Sequence, residues 1–87
     1  MLGQDVSNTP EAFERVRGAM LQLADAHCAD ATDLRHRLTY ANDIDALWYL
    51  RSPLMAAIAA RRGESVAHDD IARVTLLFSR NLSGVKP

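Results

Sequence analysis

From Pro10 onward, apolar side chains recur at Phe13, Val16, Met20 and Leu23, and His27 continues the stripe. Steps of three and four keep one face of a helix turned inward, so a first helix is expected over about 10–29. Thr9 can cap it, Pro10 suits the first helical position because its missing N–H costs nothing there, and Glu11 and Glu14 favour the positive helix end. The stretch "ADATDLRH" then offers Asp30 and Thr32 as caps before Leu34, Leu38, Ala41, Leu47 and Trp48 resume helical spacing. A second helix over about 33–50 follows. Its weak point is Asn42 and Asp43, whose side chains can bond their own backbone and restart the helix there.

Ser52 and Pro53 are read as the end of that helix and the start of a third, because proline disfavours helical geometry in the residue before it. The third helix, about 53–62, turns Leu54, Met55, Ile58 and Ala59 inward and carries Arg61 and Arg62 in its last turn. Gly63 is free to form a left-handed stop. Ser65 can cap a fourth over about 65–82, in which Ala67, Ile71, Val74, Phe78 and Leu82 keep the same rhythm, before Gly84 and Pro87 close the chain. No strand alternation, hairpin dipeptide or repeat interrupts this pattern. The expectation is an all-α protein: a small four-helix bundle with mostly antiparallel neighbours, one domain over 1–87, and flexible ends at 1–8 and 84–87.

Composition supports a folded chain, since 48% apolar and 24% charged residues lie far from the polar, highly charged make-up of disordered segments. At 87 residues the core is small and little surface is buried, which makes self-association an economical way to cover apolar area. Ten basic and eleven acidic residues leave a net charge of −1, so no uniform field draws the protein to nucleic acid or an anionic membrane. A single cysteine, Cys28, excludes an intramolecular disulfide. With no basic start and apolar run at the N-terminus, a cytoplasmic protein is expected.

The densest apolar stretch is "DALWYLRSPLMAAIAARRGE", residues 45–64. Arg51, Ser52 and Pro53 interrupt it, so neither half approaches the roughly 20 apolar residues that span a bilayer, and no membrane partner is expected. Trp48 and Tyr49 are adjacent and diverge by about 100° on a helix, so both cannot face one narrow core stripe. With Arg51 and Met55 they form a candidate protein interface, because aromatic side chains, methionine and arginine are what interfaces favour. The leading expectation is a small helical protein interaction module that associates with itself.

The alternative is a DNA-binding regulator using a degenerate helix-turn-helix formed by helices three and four. Ala59, Gly63 and Val66 have the turn spacing of that motif, and Arg61, Arg62 and Arg73 would be the nucleic-acid contacts. Glu64, Asp69 and Asp70 oppose a phosphate backbone at the start of the would-be recognition helix. "LRHRLTYANDIDALWYLR" resembles the first helix of the helical chorismate mutases, which implies cationic groups for a dicarboxylate substrate. This chain departs from that pattern at Pro53, and its one lysine is Lys86.

His27, Cys28, His36 and His68 are the residue types that bind metals, but no pair of them has the four-residue helical ligand spacing, so no metal is expected. The glycines are isolated and form no phosphate loop. No cofactor or small-molecule ligand is expected, and no nucleophile, base and orienting group assemble from neighbouring positions, so the chain is read as not an enzyme.

Overall fold

A computed structural model describes residues 10–81. Four helices account for nearly all of them: α1, Pro10–His27; α2, Thr32–Thr39; α3, Ile44–Arg62; and α4, Glu64–Asn81. No strand occurs among the described residues. The protein is a small helical bundle, as the periodicity requires. Cross-helix pairs set its directions. Asp25 meets Arg35 and Arg17 meets the α2 carbonyls, so α2 runs back along α1. Trp48 meets Phe78 and Arg51 meets Thr75, so α4 runs back along α3. The ends of α1 and α3 meet at His27 and Arg62, which makes those two helices parallel.

The core is built from one stripe per helix. Val16, Met20, Leu38, Leu47, Leu54 and Ile58 are fully buried, joined by Ala12, Ala24, Leu34, Ala67, Ile71, Val74 and Phe78. On α1 the buried line passes through Ala12, Val16, Met20 and Ala24, so Phe13 and Leu23 flank the core half-buried. Met55 and Ala59, expected to point inward, are also half-buried.

The helix boundaries around residues 40–53 correct the sequence reading. The chain breaks at 40–43 and not at Pro53, which sits inside α3. Asp43 adopts an extended backbone and its carboxylate accepts from the Ala46 N–H at 2.9 Å, the bond that restarts a helix. A proline in a helix interior costs about 3 kcal/mol. Leu47 before it and Leu54 and Ile58 after it each gain roughly 1.5–3 kcal/mol from burial, so three side chains on one face outweigh the proline. The Tyr49 carbonyl loses its usual donor to Pro53, and Tyr49 lies on the outer side, where water can replace it.

Other ends differ by smaller amounts. α1 stops at His27, and α2 begins at Thr32 with no side-chain cap. Asp30, expected to cap α2, is held by Arg61 instead. Ser65 lies within α4 and does not cap it. Gly63 joins α3 to α4 alone, donating its N–H to the Ala59 carbonyl at 2.9 Å and accepting from the Ala67 N–H at 3.2 Å. The expected cap Thr9, the inward Leu82 and the flexible ends lie outside the described residues.

Arg17 closes the other turn. Its guanidinium, which stacks over Phe13, donates to the carbonyls of Leu38 at 3.2 Å, Thr39, and Ala41 at 3.0 Å. Those carbonyls include the last of α2, which has no further helix to accept from.

Gly63 has φ +95°, a backbone region that residues with a Cβ rarely adopt, and no atom would touch an added Cβ. Gly63→Ala is therefore expected to lower stability by about 1–3 kcal/mol through backbone strain alone, read from urea unfolding. Arg17→Ala, which leaves three carbonyls without a charged donor, is expected to cost about 1.5–3 kcal/mol in the same assay.

Candidate functional site

Because α3 is one continuous helix, its residues fall into faces 100° apart per step. Leu47, Leu54 and Ile58 turn to the core. The residues exposed between Trp48 and Ala60 are Trp48, Tyr49, Ser52, Ala56 and Ala60, none of them charged. Trp48 is 40% exposed and Tyr49 75%, so Trp48 sits at the boundary and Tyr49 outside it. On α4, Leu76 is 60% exposed, on the same outer side as Ala72. The antiparallel pairing places Leu76 level with Tyr49.

Trp48 packs edge-on against Phe78, with ring centroids 5.0 Å apart. The Arg51 guanidinium lies 3.5 Å from the centre of the Trp48 ring. Its Nε donates to the Trp48 carbonyl at 3.2 Å, and one terminal nitrogen donates to Thr75 Oγ1 at 2.9 Å. That hydroxyl in turn donates to the Ile71 carbonyl at 2.9 Å. Burial lowers the Arg51 pKa from its ordinary value. No carboxylate among the described residues pairs with this cation. One turn further along, Met55 lines a hollow of about 210 Å³ with Ser52, Ala56, Ala59, Ala67 and His68, and Glu64 stands at its end. On α3 the structure turns Trp48, Arg51 and Met55 toward the seam with α4, while Tyr49, about 160° from Arg51 round the helix, points outward with Ser52, Ala56 and Ala60.

The arginines considered for nucleic acid do not form a free basic strip. Arg61 makes a forked pair with Asp30, at 2.8 and 2.9 Å, and donates to the Ala57 carbonyl at 3.0 Å. That pair holds the Asp30 carboxyl below the usual carboxylate range and raises Arg61. Arg62 Nε donates to His27 Nδ1 at 3.1 Å, and Arg73 donates to Asp70 Oδ1 at 2.8 Å. Between α3 and α4 a single residue makes an antiparallel hairpin, whereas a helix-turn-helix crosses its helices at about 90–120° through a turn of three or four residues.

Sequence reasoning missed one polar cluster. Asp70, read from the sequence as a charge opposing a phosphate backbone, is 7% exposed and faces α1, where His27 Nε2 lies 3.0 Å from its Oδ2. Because His27 Nδ1 accepts from Arg62, the imidazole proton belongs on Nε2, close to Asp70 Oδ2 but not aligned to form a hydrogen bond with it. The signal was present: Asp70 falls three residues after Ala67 and four before Val74, on the inward rhythm of α4. A carboxylate there needs a buried partner.

The other chemically active side chains stand apart. Cys28 is buried, which pushes its thiol pKa up, with the Arg61 charge acting against that rise. His36 lies against Tyr40 on the surface, at 4.6 Å between rings, and His68 lies in the α3 and α4 hollow. Among the described residues no three His, Cys, Asp or Glu side chains group as a metal site. None of the described helices is long and apolar enough to cross a membrane. The segment that resembles a chorismate mutase helix is divided between α2 and α3.

The architecture defines a small all-α bundle in which the exposed residues of α3 from Trp48 to Ala60 carry no charge. Comparison with protein-family models, with characterised proteins and with solved structures found no match to this chain.

Asp70→Ala is expected to lower stability by about 1–3 kcal/mol in urea unfolding, because it strips the partner from the half-buried His27. The exposed neighbour Asp69→Ala should stay within about 0.5 kcal/mol of the parent.

Proposed function

We propose that the protein is a helical interaction module that associates with a second copy of itself through the outer face of α3 and α4. The observation that carries this reading is the exposed row Trp48, Tyr49, Ser52, Ala56 and Ala60, which has no charged member over three turns of helix. Leu76 extends the row onto α4. A helix apolar on two opposed sides has more apolar surface than one core can cover. Tyr49 is the anchor of the face, with Trp48 at its edge toward α4, where Arg51 and Met55 line the seam. Small residues between them allow another backbone close approach.

A DNA-binding reading has weaker support, because Arg61, Arg62 and Arg73 each have a partner within the chain.

Size-exclusion chromatography with light scattering tests the self-association. A dimer is expected at high micromolar concentration, and Tyr49→Asp should weaken it at least about 30-fold, the effect of losing one interface anchor worth ~2 kcal/mol. A wild-type chain that stays monomeric throughout that range removes this function.

A further inference from the structure

The end of α1 meets both of its long neighbours through one ring, His27. Arg62, the last residue of α3, donates its Nε–H to His27 Nδ1 at 3.1 Å. On the α4 side Asp70 Oδ2 stands 3.0 Å from His27 Nε2. The ring is half-buried and Asp70 is buried. Arg73 donates to the other carboxylate oxygen at 2.8 Å, yet Oδ2 accepts no hydrogen bond among the described residues. The imidazole therefore bonds to α3 and lies beside, out of alignment with, an unsatisfied acceptor on α4. An acceptor buried without a donor is costly, and the nearest N–H is the one on His27 Nε2.

One further proton decides between the two partners. Nδ1 accepts from Arg62 only while the imidazole is neutral, because the acceptor is its lone pair. An imidazolium carries N–H at both nitrogens, so proton uptake sets donor against donor and cation against cation at the Arg62 contact. The same proton gives the ring the charge opposite to Asp70 and frees it to turn until Nε2–H meets Oδ2. His27 also ends α1, where the helix dipole favours a cation. The other charges around the ring are already engaged. Arg73 holds the far oxygen of Asp70, and Arg61 is forked onto Asp30. That fork keeps the Asp30 carboxyl below the usual carboxylate range, so α3 stays anchored to the turn after α1 when Arg62 lets go.

We propose that His27 is a proton-operated switch: on taking a proton from solvent at Nδ1 it releases Arg62 and exchanges the hydrogen bond from α3 for an ion pair with the buried Asp70 of α4. Histidine is the side chain that ordinarily changes charge between about pH 5 and pH 8, so the exchange answers to mild acidification. Arg62 directly precedes Gly63, so the side chain set free lies at the turn between α3 and α4. The switch is independent of the self-association reading.

Nuclear magnetic resonance of the full chain, labelled with nitrogen-15, tests it between about pH 8 and pH 5, the interval in which histidine titrates. At the upper end a nitrogen-to-nitrogen coupling across the hydrogen bond is expected between Arg62 Nε and His27 Nδ1, with the ring proton on Nε2. The coupling should be lost as the ring titrates, while the circular dichroism stays helical. In Asp70→Asn, which removes the charge that the imidazolium gains, the midpoint of that loss should move to lower pH. If Asp70→Asn does not fold, the wild-type titration alone decides. A ring proton on Nδ1 at the upper end, a coupling that survives the ring's titration, a ring still neutral at the lower end, or a midpoint unmoved in folded Asp70→Asn overturns the switch.

Discussion

The turn held by Arg17 is the constraint from which the rest of the architecture follows. α2 has eight residues, too few to be stable alone, and its last carbonyls end beside the buried Ala41. A guanidinium from α1 takes the carbonyls of Leu38, Thr39 and Ala41 together, and the Glu14 carboxylate lies 3.2 Å from the same group. With those acceptors satisfied, the chain can leave helical geometry at residue 40 and restart at Asp43. The restart is early enough for Leu47 to enter the core two turns before Pro53. Had α2 continued to residue 50, the proline would have split the apolar segment, and Trp48 and Met55 would stand on two helices and not along one seam.

That early restart explains why so much apolar surface lies on α3. The helix is held on one side by the buried stripe against α1 and on another by α4, with Arg51 and Trp48 stacked at the seam. Two contacts occupy only part of a helix circumference, and a third side remains. On that side the aromatic and small residues meet solvent. The half-buried Arg51 matters here because its neighbours, a hydroxyl, a carbonyl and an indole face, satisfy hydrogen bonds without neutralising its charge. Hydrogen bonding and charge compensation are separate requirements, and only the first is met among the described residues.

Much of the fold was legible in the chain because it depends on local signals. The stripes of α1 and α4, the glycine stop at residue 63 and the restart signal at Asp43 are all carried by side chains within a turn of where they act. What was misread depends on contacts between distant residues. Pro53 is a strong local signal overridden by Leu47, Leu54 and Ile58, whose value exists only once α1 is in place. Asp30 and Ser65 had the chemistry of caps, but Arg61 is a better partner for Asp30, and Gly63 alone makes the last turn. The buried Asp70 was hidden by its position near a helix start, where an exposed acidic residue is ordinary. As to the candidate site, the residues 48, 49, 51 and 55 were chosen for composition. One helix carries all four, but only Trp48, Arg51 and Met55 turn to the α4 seam, and Tyr49 points outward.

A comparison within the molecule bears on what the outer side of α3 is for. α1 also has a core stripe and a solvent side, and its exposed residues include Glu11, Glu14, Arg15, Gln22 and Asp25, the polar set expected where water is the final neighbour. α3 has the same length to within a residue and the same number of helical turns, yet between Trp48 and Ala60 its exposed residues include no charge and no amide. Fold stability does not demand this, since exposed Tyr49, Ala56 and Ala60 add nothing to the core. Helix propensity accounts for the two alanines but not for Tyr49, which is a weaker helix former than the glutamate or arginine used on α1. The apolar choice at Tyr49 and at Leu76 beside it costs solubility without a gain to the monomer. A gain arises once another surface covers them.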